Sequence, residues 1–139
     1  MTATLLYRIA AVLFLLFAMG HTVGFLTFKP PKPEGIAVRD SMASVRFQVG
    51  SSTRTYGDFY RGFGLFCTLY LLFAAYLAWH MGSIAQSNPQ AIGSLGWAFF
   101  VVQLASIVLS WIYFLPPPVI LSALAAISTG WAAWLVRAG

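Results

Sequence analysis

Four stretches of this chain, Ile9 to Phe28, Gly62 to Gly82, Leu95 to Leu115 and Val119 to Val136, contain no Asp, Glu, Lys or Arg. Each comes close to the roughly 20 apolar residues that an α-helix needs to cross the hydrocarbon core of a bilayer. Four such runs in 139 residues leave little from which to build a water-soluble domain. Composition agrees, with 60% hydrophobic and 8% charged residues where an ordinary soluble domain carries about 25% charged. A soluble enzyme, a disordered chain and a disulfide scaffold are excluded. The predicted fold class is an all-α membrane protein, a four-transmembrane-helix bundle forming a single integral membrane domain over residues 1–139.

The boundaries carry recognisable punctuation. Lys29-Pro30-Pro31-Lys32-Pro33 stops the first span, Ser87-Asn88-Pro89 turns between the second and third, and Pro116-Pro117-Pro118 turns between the third and fourth. The last two connections are short, which makes spans 2, 3 and 4 antiparallel neighbours. Trp and Tyr favour the two membrane interfaces. Tyr7, Trp79, Trp97 and Trp134 fall at the face holding both termini, and Tyr56, Tyr60, Trp111 and Tyr113 at or near the other. A cleaved signal peptide could be read from Arg8, Ile9 to Phe17 and Ala18-Met19-Gly20. The apolar pattern runs on to Phe28, longer than a signal peptide requires, so a retained first span is expected.

Nine of the eleven charged residues, including every acid, lie in one connection, residues 29–61. Within it Val38, Met42 and Val45 recur at i, i+4 and i+7, which suits a short amphipathic helix after Pro33-Glu34-Gly35. Val45, Phe47 and Val49 then alternate with Arg46 and Gln48, and Gly50-Ser51-Ser52 precedes Thr53-Arg54-Thr55-Tyr56, as in a small hairpin. A small extramembrane cap, a short helix and/or a β-hairpin between helices 1 and 2, is expected to lie with its apolar side on the bundle mouth. Its six Lys and Arg, against Arg8 and Arg137 on the terminal side, place it in the cytoplasm by the positive-inside rule. The net charge of +5 does not imply nucleic acid, because most aromatics lie in the uncharged runs and not beside the cations.

The single cysteine, Cys67, can form neither an intramolecular disulfide nor a Cys-x-x-Cys pair, which excludes the thiol chemistry of small membrane quinone and vitamin K reductases. His21 and His80 differ in depth by roughly 15 Å, too far to share one ion or one porphyrin iron. No metal and no cofactor is expected. His80, beside Trp79, reads as a snorkelling interfacial residue.

His21 is more informative. It stands in Gly20-His21-Thr22-Val23-Gly24, where glycines at i and i+4 permit close approach of a second helix. Counted from the cap side, His21 lies about 12 Å in and Thr68 about 10 Å in. Gln103, Ser106, Ser110 and Tyr113 recur at i, i+3, i+7 and i+10 as a polar stripe on span 3, and Asp58, Tyr60 and Arg61 lead into span 2. Together these define a candidate polar pocket opening toward the cap. Two alternatives stay open. The polar groups could simply join helices to one another, and Asp58 could serve as an N-cap partnered by Arg61. Small faces on span 2 (Gly64, Thr68, Leu71, Ala75, Ala78, Gly82) and span 4 (Ser122, Ala126, Gly130) predict close packing, leaving little room for a pore.

Gly20-His21-Thr22-Val23-Gly24-Phe25, Tyr56-Gly57-Asp58-Phe59-Tyr60-Arg61-Gly62-Phe63-Gly64 and Leu95-Gly96-Trp97-Ala98-Phe99-Phe100 resemble the signature stretches of a family of small, uncharacterised four-helix bacterial membrane proteins. That family is distantly similar to DoxX-like proteins and to the EXPERA group of sterol isomerases and sigma-2-type lipid binders. The resemblance implies a bacterial inner (cytoplasmic) membrane and a multi-pass topology. EXPERA isomerases move protons with acids inside their spans; no Asp or Glu lies in a span here, so that activity is not implied.

The function expected from these observations is that of a non-catalytic integral membrane protein binding a lipophilic small molecule or a membrane-complex partner subunit. The alternative is a membrane-embedded enzyme acting on a lipid, quinone or isoprenoid. There His21 would act as general acid or base with Asp58, Tyr60 or Arg61 orienting substrate. Thr68, Gln103, Ser106, Ser110 and Tyr113 complete the candidate ligand-binding set.

Overall fold

Helix formation outruns the uncharged stretches at most of their ends. In a computed structural model describing residues 1–138, the side chain of Ala138 excepted, the elements follow in a simple order. They are α1 (Ala3–Thr27), α2 (Pro33–Ser44), β1 (Arg46–Val49), β2 (Ser52–Thr55), α3 (Tyr56–Ser87), a 3-10 turn (Pro89–Ile92), α4 (Leu95–Tyr113) and α5 (Pro116–Ala138). Of the spans expected at 9–28, 62–82, 95–115 and 119–136, the second and fourth are extended at both ends, the first begins earlier, and the third ends two residues early at Tyr113. Charge marks where the bilayer ends, whereas a helix continues wherever its backbone bonds and caps allow. Arg8 accordingly lies inside α1, its guanidinium 5.1 Å over the Trp79 ring. Pro116-Pro117-Pro118 begins α5 instead of forming a turn before it, since first-turn N–H groups have no intrahelical partner and proline forfeits nothing there.

α1, α3, α4 and α5 are each long and apolar enough to cross a membrane, and the chain reads as a multi-pass integral membrane protein. At about 1.5 Å per residue the 32-residue α3 measures about 48 Å, against a hydrocarbon core of about 30 Å. Gly62 to Gly82 alone spans the core. Tyr56 to Arg61 then extends about 9 Å beyond it on the cap side.

Residue contacts divide the chain into two compact units, Met1–Ala18 with Leu71–Gly139, and Met19–Tyr70. The first unit contains segments of all four long helices around one core. Ala10, Ala11, Ala75, Ala78, Ala125 and Ala132 bring the backbones close, and Leu6, Tyr7, Phe14, Met81 and Phe99 fill the space between. Phe14 and Phe99 meet at a centroid distance of 5.5 Å. The small faces expected on spans 2 and 4 are buried where they enter this unit: Ala78 is 0% and Ser122 2% exposed. A Cβ on Gly130 would come within 2.7 Å of the Phe100 ring. Tyr7, expected at the depth of the interface, is fully buried among the helices, its hydroxyl 2.7 Å from where a Cβ on Gly96 would stand.

The second unit holds the end of α1, α2, the hairpin and the start of α3. β1 and β2 are antiparallel, with Arg46 opposite Thr55, Phe47 opposite Arg54 and Val49 opposite Ser52. The two-residue loop is Gly50-Ser51. Gly50 takes φ +58°, the positive angle that a type II′ hairpin turn needs at its first central position. Phe47 ties the hairpin to α3, its ring 4.9 Å from Tyr56 and 5.6 Å from Phe59. α2 forms where expected but buries none of its residues, and Val38 is left exposed. Its contact with α3 runs through backbone: a Cβ on Gly57 would stand 3.1 Å from the Met42 carbonyl oxygen.

Candidate functional site

His21 and Thr68, matched in depth from sequence, both belong to the second unit and are held against neighbours there. The His21 Nε2–H donates to the Gly64 carbonyl oxygen of α3 at 2.9 Å, which fixes the ring tautomer, and the ring stacks on Phe25 one turn along α1. Thr22 and Thr68 share a hydroxyl hydrogen bond at 2.8 Å. Tyr60, at 61% exposure, packs its ring 5.3 Å from Phe25.

The glycine that makes this possible is not one of the two flanking His21. A Cβ built on Gly20 or Gly24 meets nothing within 4 Å, so that pair forms no close helix contact in this chain. Gly64 does the work expected of them. A Cβ there would collide with the Phe25 ring, and its carbonyl is the one His21 reaches. The spacing of glycines in sequence cannot tell which helix face meets a partner.

Asp58 and Arg61 also differ from expectation. Thr55 is the capping residue: the Asp58 N–H donates to Thr55 Oγ1 at 3.0 Å, and the Thr55 N–H donates to Asp58 Oδ2 at 3.0 Å. This reciprocal pair is a capping box with Asp in the position usually held by Glu or Gln. Asp58 thus closes the helix start from its third residue, and no Asp58–Arg61 ion pair forms among the described residues. Asp58 precedes the uncharged stretch of α3, outside the hydrocarbon core. Hydrogen bonding to Thr55, by its backbone N–H first and then its side chain, holds the carboxyl below the usual carboxylate range, with Arg54 and Arg61 adding to the effect.

In the first unit, α4 carries the polar stripe. Gln103 and Ser110 are buried, Ser106 is half-buried and donates to the Val102 carbonyl of its own helix at 2.9 Å, and Tyr113 is 72% exposed at the helix end. The first three share one inward face, while Tyr113 leaves it. His80 is exposed and stacks on Tyr76 with centroids 6.0 Å apart. No group of three His, Cys, Asp or Glu side chains converges as a metal site among the described residues.

One concave polar site escaped the sequence reading. Arg46, Thr53, Arg54, Thr55 and Asp58 line an open hollow of about 460 Å³ between the hairpin and the first turn of α3. Its signal lay in pairing that alternation alone does not supply: strand register sets Arg46 opposite Thr55, and both line the hollow with Asp58. A scan against protein-family models, a search of curated proteins and a search of solved structures each find no match to this chain.

Proposed function

We propose that this is a non-catalytic integral membrane protein of the bacterial cytoplasmic membrane that binds a lipophilic molecule or a partner subunit through its long helices. The observation that carries this reading is the engagement of the groups a catalyst would need. His21 is bonded to a helix carbonyl and Asp58 to the Thr55 cap, so each already has a joining or capping role. Apolar faces supply the binding capacity. Only 11% of the most apolar window of α3 is buried within the chain, and 22% of that of α4. Val101, Leu104, Val108 and Trp111 on α4 are all exposed to whatever surrounds the helix. The resemblance at residues 20–25, 56–64 and 95–100 supports the bacterial placement.

Native mass spectrometry after gentle extraction tests the reading. A lipophile or a partner chain travelling with the protein is the expected result. A bare chain recovered from its native membrane, or a turnover of lipid, quinone or isoprenoid abolished by His21→Ala in a chain that stays folded, would overturn it.

A further inference from the structure

The cap holds six of the eight cations, and the fold gathers two of them around one hollow. Arg46 of β1 and Arg54 of β2 line it together with Thr53 and Thr55. Neither guanidinium meets a carboxylate: among the described residues the ion pair that forms joins Arg39 to Asp40. Arg54 donates to the Thr53 carbonyl at 2.8 Å. Asp58 lines the same hollow, but its Oδ2 accepts from the Thr55 N–H, and Arg46, Arg54 and nearby Arg61 outnumber it. Two arginines without a carboxylate partner, beside two threonines, suit a tetrahedral oxyanion, which arginine binds through charge-assisted N–H bonds.

Depth identifies the source of that anion. Asp58 stands four residues before Gly62, so the hollow lies about 6 Å outside the hydrocarbon core, at the level of lipid phosphates. Tyr56 and Tyr60, both exposed, mark the same level with aromatic rings suited to the interface. We propose that Arg46 and Arg54, with Thr53 and Thr55, hold the phosphate of an anionic glycerophospholipid headgroup from the cap-side leaflet. This site depends on the chain crossing a membrane and not on which lipophile or partner its long helices bind.

The test is native mass spectrometry of the full-length protein in detergent, titrated with phosphatidylglycerol and, separately, with diacylglycerol of the same acyl chains. Phosphatidylglycerol is expected to bind and diacylglycerol not. The R46Q/R54Q pair should weaken phosphatidylglycerol binding by about tenfold, and the K32Q/R39Q pair, which removes equal charge from the cap, by less than about twofold. Thermal unfolding in detergent reports whether the Gln pair remains folded; if it does not, R46Q and R54Q taken singly carry the test, each expected to weaken binding about threefold. Equal weakening by the control pair, equal binding of diacylglycerol, or complete displacement by an equal concentration of inorganic phosphate would overturn the proposal. Loss of a lipophile or partner on extraction bears on the proposed function alone and leaves these titrations unchanged.

Discussion

Two glycines act through the aromatic ring each one accommodates. Gly→Ala inside a helix ordinarily stabilises by about 1 kcal/mol, while forcing atoms into a filled site costs about 1 to 3 kcal/mol. At Gly64 the obstacle is the Phe25 ring. Gly64→Ala should therefore lower the thermal stability of the detergent-solubilised protein, yet raise it in a Phe25→Ala background. The sign reversal of that double-mutant cycle is the readout, and a Gly64→Ala effect of the same sign in both backgrounds would remove the steric account. At Gly96 the obstacle is the Tyr7 hydroxyl, which is buried with no hydrogen-bond partner. Removing a buried, unpaired hydroxyl relieves its desolvation penalty, so Tyr7→Phe should leave stability unchanged or raise it by about 1 kcal/mol and should lessen the damage done by Gly96→Ala. A Tyr7→Phe loss above about 2 kcal/mol would reveal a partner for that oxygen. Both glycines stand in the sequence for anyone to see. Which aromatic ring each faces follows from helix rotation, which residue spacing constrains only to within a face.

At the scale of elements, the hairpin and the start of α3 are one device built on Thr55 and Asp58. Asp58 titrates below the usual carboxylate value of about 3.9, so the stabilisation it lends the helix start is complete above that pH and is lost as pH falls through the lowered value. The Thr55 amide proton should shift with a midpoint below 3.9 in an NMR acid titration, and Asp58→Asn should abolish that shift. A midpoint at or above the ordinary value would mean the box is open in solution. The pairing of α1 with α3 in the second unit rests on the His21 bond to Gly64 and the hydroxyl bond of Thr22 with Thr68. Interhelical bonds in a membrane contribute about 0.6 kcal/mol each, rarely more than about 1.7. His21→Ala should thus cost about 1 kcal/mol of stability in a reversible unfolding assay; a cost above about 3 kcal/mol would assign His21 a larger role than joining two helices. The elements themselves were largely legible. The alternation at Val45, Phe47 and Val49 and the Gly50-Ser51 turn marked the hairpin, while the capping residue was misplaced by three positions because Thr and Asp are both good caps and only backbone angles choose between them.

For the whole molecule, a single native thiol offers a check on the spans. Cys67 is exposed on α3 in the isolated chain and lies about 8 Å inside the uncharged stretch. In membranes made permeable to the reagent on both sides, a water-soluble maleimide should leave Cys67 unmodified while labelling Ser52→Cys on the hairpin of a C67S protein. Equal labelling at the two positions would place Cys67 in water and break the second span. In sealed inside-out vesicles the same hairpin cysteine should label from outside, as a cytoplasmic cap requires.

Four uncharged runs were enough to determine that this chain belongs in a bilayer, where its helices begin to matter, and that its charge is concentrated on one connection. They suffice because the hydrocarbon core selects by composition and length, quantities that a sequence states directly. Which polar groups meet was decided by tertiary structure alone. The Gly20-x-x-x-Gly24 face stands open while Gly64 receives His21, and Arg46 and Arg54 line one hollow with Asp58 of the Thr55 cap only in the folded chain. In lipid an apolar helix face gains little by turning toward another helix, so packing is settled by small differences in shape and hydrogen bonding that no single run of residues contains.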